Sequence, residues 1–181
     1  MENNIARVDN SIQNFESTYS TSKRLISIIG SSDIAHVDTK IDSLVFANNY
    51  DYHLNLDMNT IIEARENGDL ALISSDTLRQ SIYTLSTLNE TIKERERITN
   101  EDLMSLFIPY LNKNFNWRNL GFSLFSEQGF GKSKLYKNDN YKMLYDQEFE
   151  NHLQGRIQYN KGNLQIYNAI KQQLKNIYLL L

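Results

Sequence analysis

The chain of 181 residues has no cysteine, so disulfide bonds, thiolate metal sites and a cysteine nucleophile are all excluded. It has one proline, Pro109, whereas loop-rich and all-β proteins usually place several prolines in turns and at strand edges. No run approaches the roughly 18 apolar residues of a membrane-spanning helix. The first residues show neither the basic start nor the apolar stretch of a signal peptide. These absences favour a helical, water-soluble chain.

Positive and negative charges are nearly balanced, because the chain has 19 Lys and Arg residues and 22 Asp and Glu residues, with a net charge of −3. The sequence therefore lacks the basic surface that nucleic-acid binding requires, and nucleic acid is excluded as a partner. Hydrophobic residues (40%) and charged residues (23%) are in the proportions of a globular protein rather than a disordered one. The length suits one core, so we predict a single helical domain over residues 1–181.

Apolar residues at alternating steps of three and four mark the first and last parts of the chain. This spacing places them on one stripe of a helix, as in a bundle or coiled coil. It predicts a first helix from about residue 3 to Ile29, stopped by Gly30, and a last helix from about Tyr145 onwards. We expect Asn160, which interrupts the second stripe, to find a polar partner or an exposed edge. The stripes are Ile5, Val8, Ile12, Phe15, Tyr19, Ser22, Ile26 and Ile29, then Phe149, Leu153, Ile157, Asn160, Leu164, Tyr167, Ile170, Leu174, Ile177 and Leu181.

Shorter patterns follow the first helix. An apolar stripe from Ile34 to Val45 comes after Asp33, whose carboxylate is a suitable N-cap. A short helix is predicted over Met58–Glu66, and Gly68 can take the left-handed conformation that ends it. The turn after this glycine is predicted to bury three apolar residues, which are Leu70, Leu72 and Ile73.

A second long helix is predicted to begin after Ser74 or Ser75, either of which can serve as its N-cap. Its apolar stripe is Leu78, Ile82, Leu85, Leu88 and Ile92. The segment Thr99–Asp102 resembles a capping box with Asp in place of Glu, so a new helix is expected to begin there. Pro109 is expected to kink or end that helix.

Periodicity is lost between Asn114 and about Asn140, in a connection rich in glycine and aromatic residues. Four principal helices and this connection predict an all-α fold, an antiparallel four-helix-bundle-like domain in which the connection caps one end.

The run from Gly68 to Ile82 (GDLALISSDTLRQSI) resembles a pattern of an uncharacterised family of bacterial single-pass membrane-anchored proteins with a helical soluble domain. The later run Glu148–Leu153 (EFENHL) is similar to the opening of that family's final helix. The resemblance spans about residues 35–181. It implies a basic segment and one transmembrane helix upstream of this region, so that the helical part lies outside the cytoplasm. This sequence contains no such segment, and the family assigns no catalytic residue to carry over.

The remaining candidates for chemistry are weak. The segment 126–133 (SEQGFGKS) has a serine where a phosphate-binding loop needs its first glycine, and no strand precedes it. His53 stands alone in a polar connector, whereas a zinc site needs at least three placed ligands. His152 is interpreted as a boundary residue of the last helix. We predict no catalytic residue, no metal ligand and no cofactor.

The aromatic connection is the one unusual constellation, and Trp117 and Arg118 are the residues predicted to meet a ligand or partner. Flat rings beside Arg and Asn supply contact area at low entropic cost, and long loops inside compact domains are often functional. The competing interpretation is that these rings plug the open end of the bundle.

The function predicted from sequence is that of a non-enzymatic helical domain, the extracytoplasmic sensing or protein-interaction part of a small membrane-anchored protein. Its partner would be a protein or a small molecule, and it could form a homo-oligomer. The alternative is a cytoplasmic helical scaffold or interaction module without an anchor. An unrecognised enzyme ranks third, because helical bundles that hold metal use Glu-x-x-His pairs and this sequence has none.

Overall fold

The computed structural model describes residues 2–31, 41–118, 120, 133–134 and 140–181. Within these ranges every regular element is helical and no strand occurs, so the predicted all-α class is confirmed. The four-helix-bundle arrangement stays a prediction. The α-helices are α1 (Glu2–Ile28), α2 (Ile41–Ala47), α3 (Asn59–Glu66), α4 (Asp76–Asp102), α5 (Ile108–Asn114) and α6 (Gln147–Leu180). Two short 3-10 helices occupy Asp69–Leu72 and Asn140–Tyr145, and a π-helical segment occupies Leu103–Phe107.

The chain divides into two compact units, each with its own apolar core. The prediction of a single domain over residues 1–181 is not tested by this division and stays a prediction. Helices α1, α4 and α6 each contribute residues to both units. The first unit comprises Met1–Glu16, Tyr52–Arg97 and Lys161–Leu181, and the second comprises Ser17–Asp51 and Ile98–Asn160.

The core of the first unit forms around the ring of Phe15 on α1. Its centroid lies 5.0 Å from that of Tyr167 on α6 and 5.7 Å from that of Tyr52. Leucines and isoleucines of α4, such as Leu85 and Ile92, complete the cluster without any exposed surface. Burial of these apolar side chains is the main force that holds the three helical segments of this unit together.

The core of the second unit is aromatic where α5 and the preceding π segment meet α6. The ring of Phe149 stacks at 6.3 Å from Phe107 and at 5.9 Å from Tyr110. The end of α1 is tied to the same unit, because the Gly30 amide donates to the Leu144 carbonyl at 3.0 Å.

The ends of several helices lie where the sequence predicted them. Gly30 and Gly68 have φ angles of +69° and +79°, the left-handed conformation that stops a helix and that glycine adopts without penalty. The Ser75 hydroxyl accepts a hydrogen bond from the Leu78 amide at 3.2 Å, which confirms this serine as the N-cap of α4. Leu72 was wrongly predicted as buried, since it is 81% exposed, whereas Leu70 is buried and Ile73 packs half-buried against the same core.

The predicted start of a new helix at Thr99–Asp102 is wrong. Helix α4 runs through this segment, and Asp102 keeps helical angles and makes no capping bond with its side chain. The π segment follows directly and leads without a break into α5, because Phe107 and Ile108 keep helical angles. Pro109 does not end the helix, since α5 runs to Asn114. The predicted stripe from Ile34 and its cap Asp33 lie outside the described residues, apart from α2 itself.

Helix α6 buries its stripe in alternating steps of four and three residues, the heptad spacing of a coiled coil. Leu181, the last residue of the predicted stripe, is 82% exposed and follows the end of the helix. The rest of the predicted stripe is right towards both ends of the helix but wrong in the middle. There Arg156 and Asn163 are buried, while their apolar neighbours Ile157 and Leu164 are half-buried. The buried positions are Phe149, Leu153, Arg156, Asn160, Asn163, Tyr167, Ile170, Leu174 and Ile177.

Helix α1 departs from its predicted stripe in the same way. Thr18 and Leu25 are buried, whereas the predicted neighbours Tyr19 and Ile26 are half-buried. Small polar side chains fit this interior because they bond to their own helix, as the Ser22 hydroxyl does to the Thr18 carbonyl at 2.9 Å. Polar residues on a heptad stripe are therefore a feature of both long helices.

Candidate functional site

The two predicted site residues follow the end of α5. The Trp117 ring is half-buried against the core of the second unit and packs edge-on against Phe115 at 4.9 Å. Its indole N–H donates to Asn112 Oδ1 at 2.9 Å. Arg118 beside it is exposed. A tryptophan held in this way anchors the chain after α5, which fits the plug, but the choice between plug and recognition stays a prediction.

Most of the aromatic connection lies outside the described residues. This applies to residues 119, 121–132 and 135–139, and so to all but the last residue of the segment compared with a phosphate-binding loop. Among the described residues, the other candidates for a binding site are the polar side chains that the structure buries.

The second unit contains such a group, the Arg156 cluster, which we define as Arg156, Asn160 and Asp102 with Asp51 nearby. Arg156 is only 1% exposed, and its Nη2 donates to the Tyr50 carbonyl at 2.8 Å. Its Nε and Nη1 have no hydrogen-bond partner within the described part of the chain. Asn160 lies one helical turn further along α6, on the same face, and is also 1% exposed.

Asn160 was expected to find a polar partner or an exposed edge, but it is buried, and the described residues supply no partner. Neither its Nδ2 nor its Oδ1 is hydrogen-bonded to any described residue. The Oδ2 atom of Asp102, at the end of α4, is likewise buried without a described partner. Buried polar atoms of folded proteins are almost always satisfied by protein, water or ligand, so these orphaned atoms call for an explanation.

Opposite charges meet in this cluster. Burial is the largest influence on Arg156 and lowers the pKa of its guanidinium, while the nearby charges of Asp51 and Asp102 raise that pKa. Burial raises the pKa of the Asp102 carboxyl, against the charges of Arg156 and His152, which lower it. The cluster thus presents a buried cation beside two half-buried carboxylic groups, whose charges act on it.

The backbone beside the cluster is unusual. The π-helical segment Leu103–Phe107 begins at the residue after Asp102, between α4 and α5. Such segments are rare and occur frequently at functional sites, because the wide turn re-aims side chains at some cost in helix stability. The position of the π segment therefore singles out the same part of the second unit as the orphaned polar atoms do.

The first unit buries a different polar group, the carboxylate of Glu96 on α4, which is 3% exposed. One oxygen, Oε1, accepts from the Leu54 amide at 2.8 Å and from the Tyr167 hydroxyl at 2.5 Å. The other, Oε2, lies 3.4 Å from Nδ1 of His53, which the sequence had placed in a plain surface connector. Burial raises the pKa of Glu96, although the hydrogen bonds from Tyr167 and Leu54 and the His53 charge oppose the shift.

Glu96 and the Arg156 cluster differ in how far they are satisfied. The Glu96 carboxylate accepts hydrogen bonds from the Leu54 amide in a connecting segment and from the Tyr167 hydroxyl on α6. A buried polar group that is satisfied in this way is typical of a structural role. The Arg156 cluster keeps donors and acceptors without protein partners. The sequence analysis predicted neither of these buried polar groups. A signal was present, because a strict alternation of three and four residues places Glu96 on the buried stripe of α4 and Arg156 on that of α6.

No family model, curated protein or solved structure matches this chain. Within the described ranges, no three His, Asp or Glu residues come together in a way that could hold a metal ion. No helix of the described part has the length and apolar content to cross a membrane.

Proposed function

We propose that this chain is a non-enzymatic helical sensing domain, the extracytoplasmic part of a membrane-anchored protein, in which the Arg156 cluster receives a small polar molecule. The observation that carries this proposal is the set of buried, unpartnered polar atoms on Arg156, Asn160 and Asp102.

Such atoms are costly to keep in the interior of a protein. A buried donor or acceptor without a partner costs about 1–3 kcal/mol, and more when the group is charged. Apolar residues of similar volume at the same heptad positions would relieve this cost and often stabilise a fold. Retention of a costly polar interior is typical of a site whose groups are completed by a bound molecule.

The extracytoplasmic location is supported by the resemblance of residues 68–82 and 148–153 to membrane-anchored proteins with a helical soluble domain. The alternative is a cytoplasmic helical interaction module, in which Trp117 and Arg118 meet a protein partner. Half-burial of Trp117 against Phe115 leaves part of its ring surface for such a contact.

Binding of a small polar molecule is tested by thermal unfolding of the chain against separate sets of carboxylates, amines, amino acids and polyols. At least one set should raise the melting temperature, because a ligand that binds only the folded state stabilises it by mass action. The variant Asn160→Leu should unfold at a higher temperature than the parent and lose the response. If no set shifts the parent protein, the sensing function is refuted.

The extracytoplasmic location is tested by cysteine labelling of the native protein. Because this chain has no cysteine, each introduced thiol is the only one within it. Gln154→Cys places a thiol on an exposed position of α6, and Ser22→Cys places a near-isosteric thiol at a fully buried one. With other cysteines of the native protein replaced, a membrane-impermeant maleimide applied to intact cells should label the first variant and not the second. Labelling of the first variant only after cell lysis would favour the cytoplasmic alternative.

A further inference from the structure

We infer that the Arg156 cluster binds a small zwitterion, a molecule that carries a carboxylate and an N–H-bearing ammonium group, as a free amino acid does. The inference rests on the proposed sensing function and names the class of ligand for the same site. Each member of the cluster leaves donor or acceptor atoms without a described partner, and the kind of atom indicates the ligand.

The unpartnered donors are concentrated on α6. Arg156 offers Nε and Nη1, and Asn160 offers Nδ2, all buried and without a described partner. The third guanidinium nitrogen, Nη2, is held by the Tyr50 carbonyl at 2.8 Å, which fixes the orientation of the side chain. Guanidinium groups form their strongest hydrogen bonds with carboxylate oxygens, which carry several lone pairs each. These donors therefore favour a carboxylate.

The unpartnered acceptors come from two helices. Asp102 at the end of α4 leaves Oδ2 without a partner, and Asn160 on α6 leaves Oδ1, in both cases within the described residues. The charge of Asp51 also acts on this region through Arg156. An ammonium group donates three hydrogen bonds and has no acceptor, so it complements a carboxylate and an amide oxygen. These acceptors favour an ammonium group.

A ligand with one charge alone satisfies half of the cluster. A simple anion would complete Arg156 but add to the negative charge of Asp51 and Asp102, and a simple cation would leave the guanidinium donors unpartnered. A neutral polyol could reach both kinds of atom, but hydrogen bonds between two charged groups are roughly twice as strong as neutral ones. A zwitterion completes donors and acceptors with charge-assisted bonds at both ends.

The size of the ligand is limited by enclosure. Arg156 and Asn160 are each 1% exposed and their unpartnered atoms have almost no accessible surface, so the surrounding side chains must move apart to admit a molecule, and only a small one can be admitted. Glycine and L-alanine, the smallest α-amino acids, are therefore the appropriate probes.

The experiment measures thermal unfolding with glycine, L-alanine, acetate, methylammonium, glycine betaine and glycerol as separate additions. Glycine or L-alanine should raise the melting temperature by about 5 °C at a large excess over its dissociation constant. Acetate, methylammonium and glycerol should each shift it by less than about 1 °C. Glycine betaine keeps both charges but has no N–H donor, so it should also fail if hydrogen bonds to Asp102 and Asn160 are required.

Two variants and a matched control assign the response to the cluster. Arg156→Met and Asn160→Leu should each abolish the shift with glycine and L-alanine. Asn160→Leu keeps the test valid if Arg156→Met does not fold. Arg95→Met removes a half-buried arginine from the first unit and should leave the shift unchanged.

The possible outcomes separate the inference from the function on which it rests. A shift with polyols, acetate or methylammonium equal to that with amino acids would overturn the zwitterion and leave a polar ligand site. A shift that persists in Asn160→Leu would place the binding elsewhere and overturn the inference. If none of the additions shifts the parent protein, the inference fails together with the sensing function.

Discussion

Glu96 gives the most direct test of the energetics of this structure, because its buried carboxylate should make stability depend on pH. Burial raises its folded-state pKa above the ordinary value of 4.5. Between the unfolded and folded pKa values the folded protein therefore binds more protons than the unfolded chain. The free energy of unfolding contributed by this group is thus highest below the unfolded pKa and falls as the pH rises through the folded pKa.

The variant Glu96→Gln should remove this dependence. Its amide oxygen can keep the hydrogen bonds from the Leu54 amide and the Tyr167 hydroxyl, which lie at 2.8 and 2.5 Å from Oε1 in the parent. We expect the variant to equal the parent in acid, where Glu96 is protonated, and to be the more stable protein at neutral pH. The difference should grow across the interval between the two pKa values and then stay constant.

Tyr167→Phe tests the same carboxylate by removing one of its hydrogen-bond donors. The phenylalanine ring keeps the contact with Phe15, whose centroid lies 5.0 Å away, but the carboxylate loses its hydroxyl donor. A hydrogen bond to a charged group contributes about 1.5–3 kcal/mol, so the loss at neutral pH should be about 2 kcal/mol. The loss should shrink in acid and in a Glu96→Gln background, because neither contains a buried charge.

The assay is urea unfolding followed by far-ultraviolet circular dichroism from about pH 4 to about pH 8. Glu94→Gln is the matched control on the same helix, where an exposed carboxylate has its pKa lowered by Arg97, so its small contribution has the opposite sign. If Glu96→Gln is less stable than the parent at neutral pH, or if its pH profile is the same, the argument from burial is refuted.

The remaining predictions concern packing. Gly162→Ala should give less than the usual gain of about 1 kcal/mol for a helical glycine, because the new Cβ would displace the Arg95 guanidinium from its hydrogen bond to Asn163 Oδ1; in an Arg95→Ala background denaturant unfolding should show a larger gain. Phe15→Ala should cost about 3–5 kcal/mol because the ring is 1% exposed, and Leu164→Ala less because that side chain is half-buried. Equal losses in the two alanine variants would mean that the assignment of the interior is wrong. Trp117→Ala should lower the melting temperature by a few degrees if the ring is a plug, whereas an unchanged melting temperature with loss of a pulled-down partner would favour recognition.

Local sequence determined much of the helical content. Alternating steps of three and four residues predicted α1 and α6 nearly to their ends, and Gly30, Gly68 and Ser75 marked boundaries that the structure confirms. These features depend on residues within one or two turns of each other, so they can be interpreted without knowledge of the fold. The absence of cysteine was equally decisive, since composition alone excludes thiol chemistry.

Only tertiary structure decided which side of each stripe faces the interior. Arg156 and Ile157 are neighbours at the edge of one stripe, and their hydrophobicity predicted that the isoleucine would be buried. The arginine is buried instead. Its guanidinium donates to the Tyr50 carbonyl and is influenced by the charges of Asp51 and Asp102. These partners come from segments about fifty to one hundred residues away in the chain, as their residue numbers show. Local periodicity places a residue on a helix face, but the identity of its partner is a property of contacts between remote segments.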